Sequence, residues 1–164
     1  MKLSAGILLY NFSPEGKLQV LLVHPGGPFW KNKDEGAWSI PKGEYVEGED
    51  ALAAAKREFK EETGNELSEG DFIALEPVKI KSGKVISVWA VKGDINLAFI
   101  QSNEFEMEWP PRSGKKQLFC EVDKAGWFLI EDAKTKISSG QVAFLEQLVQ
   151  VITNTSKGGL SAKF

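Results

Sequence analysis

Apolar residues in this chain gather into short runs near its start and into helical spacing near its middle and end. "GILLYNF" and "LQVLLVH" are near-continuous apolar runs of strand length, and "SPEGK" between them, with Pro14 and Gly16, predicts a hairpin-like turn. "PGGPFWKNKDEG" is rich in Gly, Pro and Asp and predicts an irregular loop. "AWSI" is a short apolar stretch stopped by Pro41, and "KGEYVEGED" predicts a second loop. From Asp50 to Thr63 there is neither Gly nor Pro, and "ALAAAKREFKEE" consists of strong helix formers. Asp50 or Glu49 can accept from the free N–H groups of its first turn, and Gly64 stands where helices commonly end. Next, "FIALEPVKIK" and "KVISVWAVKG" read as β, separated by "SGK"; "SNEFEMEW" predicts a strand and "PPRSGKKQ" a loop. "CEVDKAGWFLI" leads into two helical pieces, "EDAKTKI" and "GQVAFLEQLVQVI". In the second, Val142, Leu145, Leu148, Val149 and Ile152 recur at helical spacing and are expected in the core.

The order of elements predicts an α+β protein whose strands and helices interleave without strict alternation. No repeat, low-complexity tract or linker interrupts it, so the expectation is one domain over 1–164, with 153–164 a loose tail. The length is enough to bury a sizeable core. A net charge of −3 and the absence of a basic cluster argue against duplex nucleic acid as a partner, because that affinity rests on clustered Lys and Arg. No apolar run reaches the ~20 residues needed to cross a bilayer, and the start lacks a signal-peptide pattern. The single cysteine, Cys120, allows no internal disulfide. These features lead to the expectation of a cytoplasmic protein. Nothing in the pattern specifies an oligomeric state.

Candidate chemistry lies in "AAAKREFKEETGNE". At about 100° per residue, Glu58, Glu61 and Glu62 fall within a wedge of about 100°, with Arg57 just outside it. Leu52, Ala55 and Phe59 form an adjacent apolar stripe, while Ala51 and Ala54 leave the carboxylates unshielded. A helix of this kind is by itself an ordinary solvated face. Like charges at i, i+3 and i, i+4 cost only about 0.2–0.5 kcal/mol each, too little to demand a cation.

The preceding residues change that reading. From Gly43, "GEYVEGEDALAAAKREFKEETGN" places Glu49 six residues on, Arg57 eight further, then Glu58, Phe59, Glu61, Glu62 and Gly64. This resembles the Nudix box at seven of nine specified positions; Phe59 is bulkier than the usual aliphatic residue, and Asn65 replaces the final apolar one. "AWSIPKGEY" and "EVDKAGWFLIEDA" resemble, more loosely, the family's entry to the box and its late strand and helix. The resemblance implies a Nudix-type α/β/α sandwich with a mixed β-sheet, the box forming loop–helix–loop. It also implies a Mg²⁺-dependent pyrophosphohydrolase, with Mn²⁺ a possible substitute, that cleaves a nucleoside diphosphate linked to another group. Nucleoside triphosphates and dinucleoside polyphosphates are the favoured substrates; capped RNA is less favoured for want of a basic patch.

Three glutamates on one face suit Mg²⁺, a hard cation that takes oxygen ligands and keeps several waters. By the resemblance, Glu58 and Glu62 are metal ligands, Gly43 offers its carbonyl, and Glu61 is either ligand or general base. Arg57 orients the carboxylates and Glu49 holds the loop. Glu121 is the expected extra ligand from beyond the box, with Glu104, Glu106 and Glu108 as rivals. Lys42, Arg112, Lys115 and Lys116 are candidate phosphate-binding cations, and Trp30, Trp109 and Phe29 sit in loops where an aromatic can stack on a base. His24 is expected to be structural and Cys120 inert. Two other readings remain open: a Nudix-like nucleotide sensor that does not cleave, and a diphosphate isomerase that would need Cys120.

Overall fold

The computed structural model describes residues 2–67 and 69–156. Its elements are β1 (Leu3–Phe12), β2 (Leu18–Pro25), β3 (Lys42–Tyr45), α1 (Ala51–Thr63), β4 (Ile73–Ala74), β5 (Val78–Lys79), β6 (Val85–Lys92), β7 (Glu104–Glu108), β8 (Lys116–Cys120), β9 (Val122–Leu129), α2 (Ile130–Lys136) and α3 (Val142–Ser156). The main sheet runs β4-β6-β1-β2-β9, with β3 also paired to β1 and β5 to β6. It is mixed: β1 and β6 are parallel, and the other pairs are antiparallel.

Helices cover both faces, which is why β1 and β2 read as continuous apolar runs and do not alternate. On one face Ala54, Ala55 and Phe59 of α1 pack on Ala5, Ile7, Leu9, Leu21 and Val91. On the other, Ile130 and Ala133 of α2, and Phe144, Leu145, Leu148 and Ile152 of α3, cover Leu8, Val20, Leu22, Val88 and Ala90. Val142 and Val149 pack at the margin of that cluster, so the expected stripe of α3 faces the core, with Phe144 added.

The site depends on a fork in the sheet. β1 pairs with β2 only over Tyr10–Phe12, while its first half, Leu3–Gly6, pairs with Lys42–Tyr45. The strand β3 therefore fills the gap where β1 and β2 diverge, and delivers the chain straight to α1. Gly6 permits the fit, since a Cβ there would stand 2.6 Å from the Pro41 carbonyl oxygen.

Four expectations are corrected. Residues 42–45, expected in a loop, are a strand because β1 offers an unpaired edge there. "FIALEPVKIK" yields only the two-residue strands β4 and β5, on either side of Pro77, which has no N–H to give to a ladder. Lys116 and Gln117, expected in a loop, belong to β8 and pair with Glu108 and Met107. Residues 153–156, expected in a loose tail, continue α3, where Ile152 is buried; the rest of that tail, 157–164, lies outside the described residues.

Candidate active site at the end of the acidic helix

Local chemistry sets the ends of α1. The Asp50 carboxylate accepts from Ala53 N at 2.9 Å, and Gly64, with φ 75°, donates to Lys60 O. Asn65, the departure from the box, closes the helix: its amide bonds Thr63 Oγ1 at 3.1 Å and its side chain the Thr63 carbonyl at 3.0 Å. Burial of Phe59, worth about 1.5–3 kcal/mol, holds one face of the helix on the sheet and turns the glutamates toward β3.

Around that face the box residues interlock. Arg57 bonds Glu49, reaches Glu58 at 3.3 Å and approaches Glu61 at 3.7 Å. The Glu58 carboxylate lies directly over Gly43, where a Cβ would stand 2.0 Å from its Oε2. Glu62 accepts from the Lys42 amide at 3.3 Å. Glu121 arrives from the junction of β8 and β9, and its neighbour Asn103 ties it to the helix: Asn103 N donates to Glu61 O and Glu121 N to Asn103 O.

Burial first, and then repulsion from neighbouring carboxylates, raises the proton affinity of Glu58, Glu62 and Glu121. Burial pushes Glu62 up to about 8, with Glu58 and Glu121 adding repulsion against the pull of Lys42. Glu58 is raised by burial and then by Glu61 and Glu121, and Glu121 by burial and then by Glu61. Lys42 is pushed down, chiefly by burial, so desolvation outweighs its attraction to Glu62 in both partners.

Among the described residues, no three carboxylate, imidazole or thiol side chains converge tightly enough to encage an ion. That spacing is compatible with a cation that keeps its waters, because such an ion takes only one or two direct carboxylates. The donors are all oxygen, and the Gly43 cradle seats one carboxylate against the β3 backbone. The residues therefore fit a hard divalent cation.

Beside the cluster opens a cavity of about 270 Å³, walled by Trp30, Ser39, Lys42, Glu62, Glu121 and Gln141, among others. Gln141 comes from a 3₁₀ turn before α3; its Oε1 accepts from Ile40 N at 2.9 Å and its Nε2 donates to Ser39 Oγ at 3.1 Å. A buried glutamine has no sequence signature, and neither Gln141 nor Ser39 was among the expected residues.

The remaining candidates lie on the β7–β8 ribbon. Trp109, Arg112 and Lys115 are near its tip and do not line this cavity; Trp109 packs edge-on against Phe29 with centroids 5.6 Å apart. Glu104, Glu106 and Glu108 are exposed, opposite Cys120, Leu118 and Lys116, and do not line this cavity. Cys120 is exposed and lines a separate hollow with Glu104 and Lys124.

Comparison with known proteins agrees with the box and the fold. A sequence model of the NUDIX domain matches residues 1–148. No curated protein matches significantly. The fold is shared with a Caenorhabditis elegans Ap4A hydrolase in binary complex, at 23% identity and TM-score 0.62, covering 92% of this chain and 98% of that one. It is shared with a MutT/nudix family protein from Enterococcus faecalis, at 17% identity and TM-score 0.63, over 93% of this chain and 62% of that one. It is shared too with the NUDIX domain of Shewanella oneidensis NrtR complexed with ADP ribose, at 16% identity and TM-score 0.59, over 92% and 87%. No helix among the described residues is long and apolar enough to cross a membrane. With the box's arginine and glutamates held on a capped helix and a NUDIX match over most of its length, the chain belongs to the NUDIX family and is a hydrolase of phosphoric anhydride bonds.

Proposed function

We propose that the chain is a Mg²⁺-dependent pyrophosphohydrolase of nucleoside diphosphate derivatives, with nucleoside triphosphates or dinucleoside polyphosphates as its substrates. The observation that carries this is the meeting of Glu121, from the far part of the chain, with Glu58, Glu61 and Glu62 at the mouth of a cavity that also holds Lys42 and Trp30. Glu58, Glu62, Glu121 and the Gly43 carbonyl would hold the cation, some directly and the others through its waters, and Mn²⁺ offers the same oxygen preference. When bound, the metal supplies charge neutralisation on phosphate oxygens and acidifies a coordinated water.

The protein's own part is positioning and proton transfer. Arg57, held by Glu49, keeps Glu58 and Glu61 in place. Glu61 is more exposed than Glu58, 35% against 12%, and is the carboxylate free to take the proton of the attacking water. The water oxygen bonds to phosphorus as the bridging P–O bond breaks, and Lys42 lies where it can offset charge on the departing phosphate. The cavity volume is near the low end for small-molecule sites, room for one base-sized group. A second nucleoside would extend outward past Trp30 toward Phe29 and Trp109, with Arg112 and Lys115 beyond it. The Ap4A hydrolase and ADP-ribose-bound neighbours are consistent with a nucleotide ligand. A sensor that does not cleave could dispense with box glutamates, yet all three are present.

The test is product analysis after incubation with Mg²⁺ and nucleoside triphosphates, diadenosine polyphosphates, ADP-ribose or nucleotide sugars, with Glu62→Gln as the blank. Cleavage of one class, lost in Glu62→Gln, is the expected result. Retention of a nucleotide without cleavage of any would overturn the assignment in favour of a sensor.

A further inference from the structure

One buried ring joins the loop that walls the cavity to the start of β9, next to Glu121. His24, the single histidine, is fully buried near the end of β2. Its Nδ1 stands 2.9 Å from Asp123 Oδ1, and its Nε2 stands 2.6 Å from the Lys33 carbonyl oxygen. The carboxylate and the carbonyl each face one ring nitrogen, and the tautomer sets which nitrogen donates. Trp38 covers the ring edge-on at 5.2 Å. A histidine that merely fills core space has no need of two acceptors from separate segments.

Each acceptor sits next to a wall of the site. Asp123 is the extra residue of a β-bulge: His24 opposes Lys124 and Pro25 opposes Val122, leaving Asp123 unpaired two residues from Glu121. Bulges re-aim neighbouring side chains. Just beyond, Gly26 N donates to Glu121 O at 2.9 Å, and a Cβ on Gly26 would meet the Cys120 carbonyl at 2.0 Å, so loop and strand touch backbone to backbone. On the loop side, Lys33 N donates to Trp30 O at 3.0 Å, and the Lys33 ammonium lies 5.3 Å from the Trp30 ring.

We propose that His24 is a positioning residue of the hydrolase site: by bridging Asp123 and the Lys33 carbonyl, it sets jointly the aim of Glu121 and the place of Trp30 in the cavity wall. This rests on Glu121 belonging to the metal site, as argued above. Displacing the ring therefore disturbs metal binding and loop order together.

The experiment measures Mn²⁺ affinity by water-proton relaxation and amide exchange of residues 26–33. It compares wild type, His24→Gln, Asp123→Ala and the core variant Val149→Ala. Both His24→Gln and Asp123→Ala are expected to weaken Mn²⁺ by about tenfold, as loss of a group that orients a ligand does, and to speed exchange in the loop. Val149→Ala is expected to lower Tm and change neither. If His24→Gln does not fold, Asp123→Ala decides, because that side chain is 38% exposed and its loss leaves no core cavity. Mn²⁺ affinity within about twofold of wild type, where a positioning partner costs tenfold or more, overturns the proposal even if loop exchange rises. A wild-type protein that binds no Mn²⁺ overturns the metal reading itself and this inference with it, an outcome distinct from variants that bind as wild type does.

Discussion

Replacing Gly43 by alanine separates the stability of the fold from the competence of the site. Gly43 lies in β3 with φ outside the left-handed region, so alanine suits its backbone. The new Cβ would stand 2.0 Å from Glu58 Oε2, 2.1 Å from its Cδ and 2.5 Å from Oε1. Ordinary C···O contacts are about 3.3–3.6 Å, so the carboxylate must retreat by roughly 1.3 Å or more. All three contacts are with the end of one flexible side chain, so the backbone can stay. Loss of glycine's freedom in the unfolded chain contributes about 0.4–1 kcal/mol of stability, offsetting the displacement. Tm is therefore expected within about 4 °C of wild type, since 1 kcal/mol moves a chain of this size by about 2–4 °C. Activity should not survive so well. Misplacing a reacting group by about 1 Å costs on the order of a hundredfold, which is about 2.7 kcal/mol on the barrier. Thermal denaturation and initial rates on the substrate found by product analysis measure the two effects side by side. A kcat/KM close to wild type would refute the reasoning, and so would a loss of activity accompanied by a collapse in Tm.

Gly26→Ala is the converse: its clash is with the Cys120 carbonyl and not with a side-chain end, so Tm should fall by well over 4 °C, readable in the same melt. Adding Mg²⁺ at about one hundred times its dissociation constant should stabilise the wild type by about 2.7 kcal/mol. In Glu62→Gln the Mg²⁺ stabilisation should largely vanish at that concentration, a result that differential scanning fluorimetry can exclude. Gln141→Ala leaves the buried Ile40 amide without its acceptor and should cost about 1–3 kcal/mol in denaturant unfolding. Gln141→Glu keeps an oxygen there and should recover part of it.

What could be read in the sequence was whatever depends on neighbours along the chain. The helix of the box is one such element: its formers, its Asp50 cap and its Gly64 stop act within a turn or two, and the 3.6-residue period puts Glu58, Glu61 and Glu62 on one face whatever lies around them. The stripe of α3 was legible for the same reason. Spacing within the box also carried the family, because its gaps record a local run from strand end through loop to helix.

What only the tertiary structure decided depends on segments far apart in sequence. The residues "KGEY" carry turn-like chemistry, yet become β3 because β1 and β2 part and leave an edge to be paired. Glu121 and its rivals on the ribbon are the same residue type in similar surroundings; of the four, Glu121 lines the cavity, beside the bulge at Asp123 and the backbone contact with Gly26. Gln141 reaches Ile40 from 101 positions away, and His24 reaches Asp123 from 99. The helix specified its own carboxylates. Their cavity, their fourth partner and the burial that raises their proton affinity arise only where the folded chain returns to the same place.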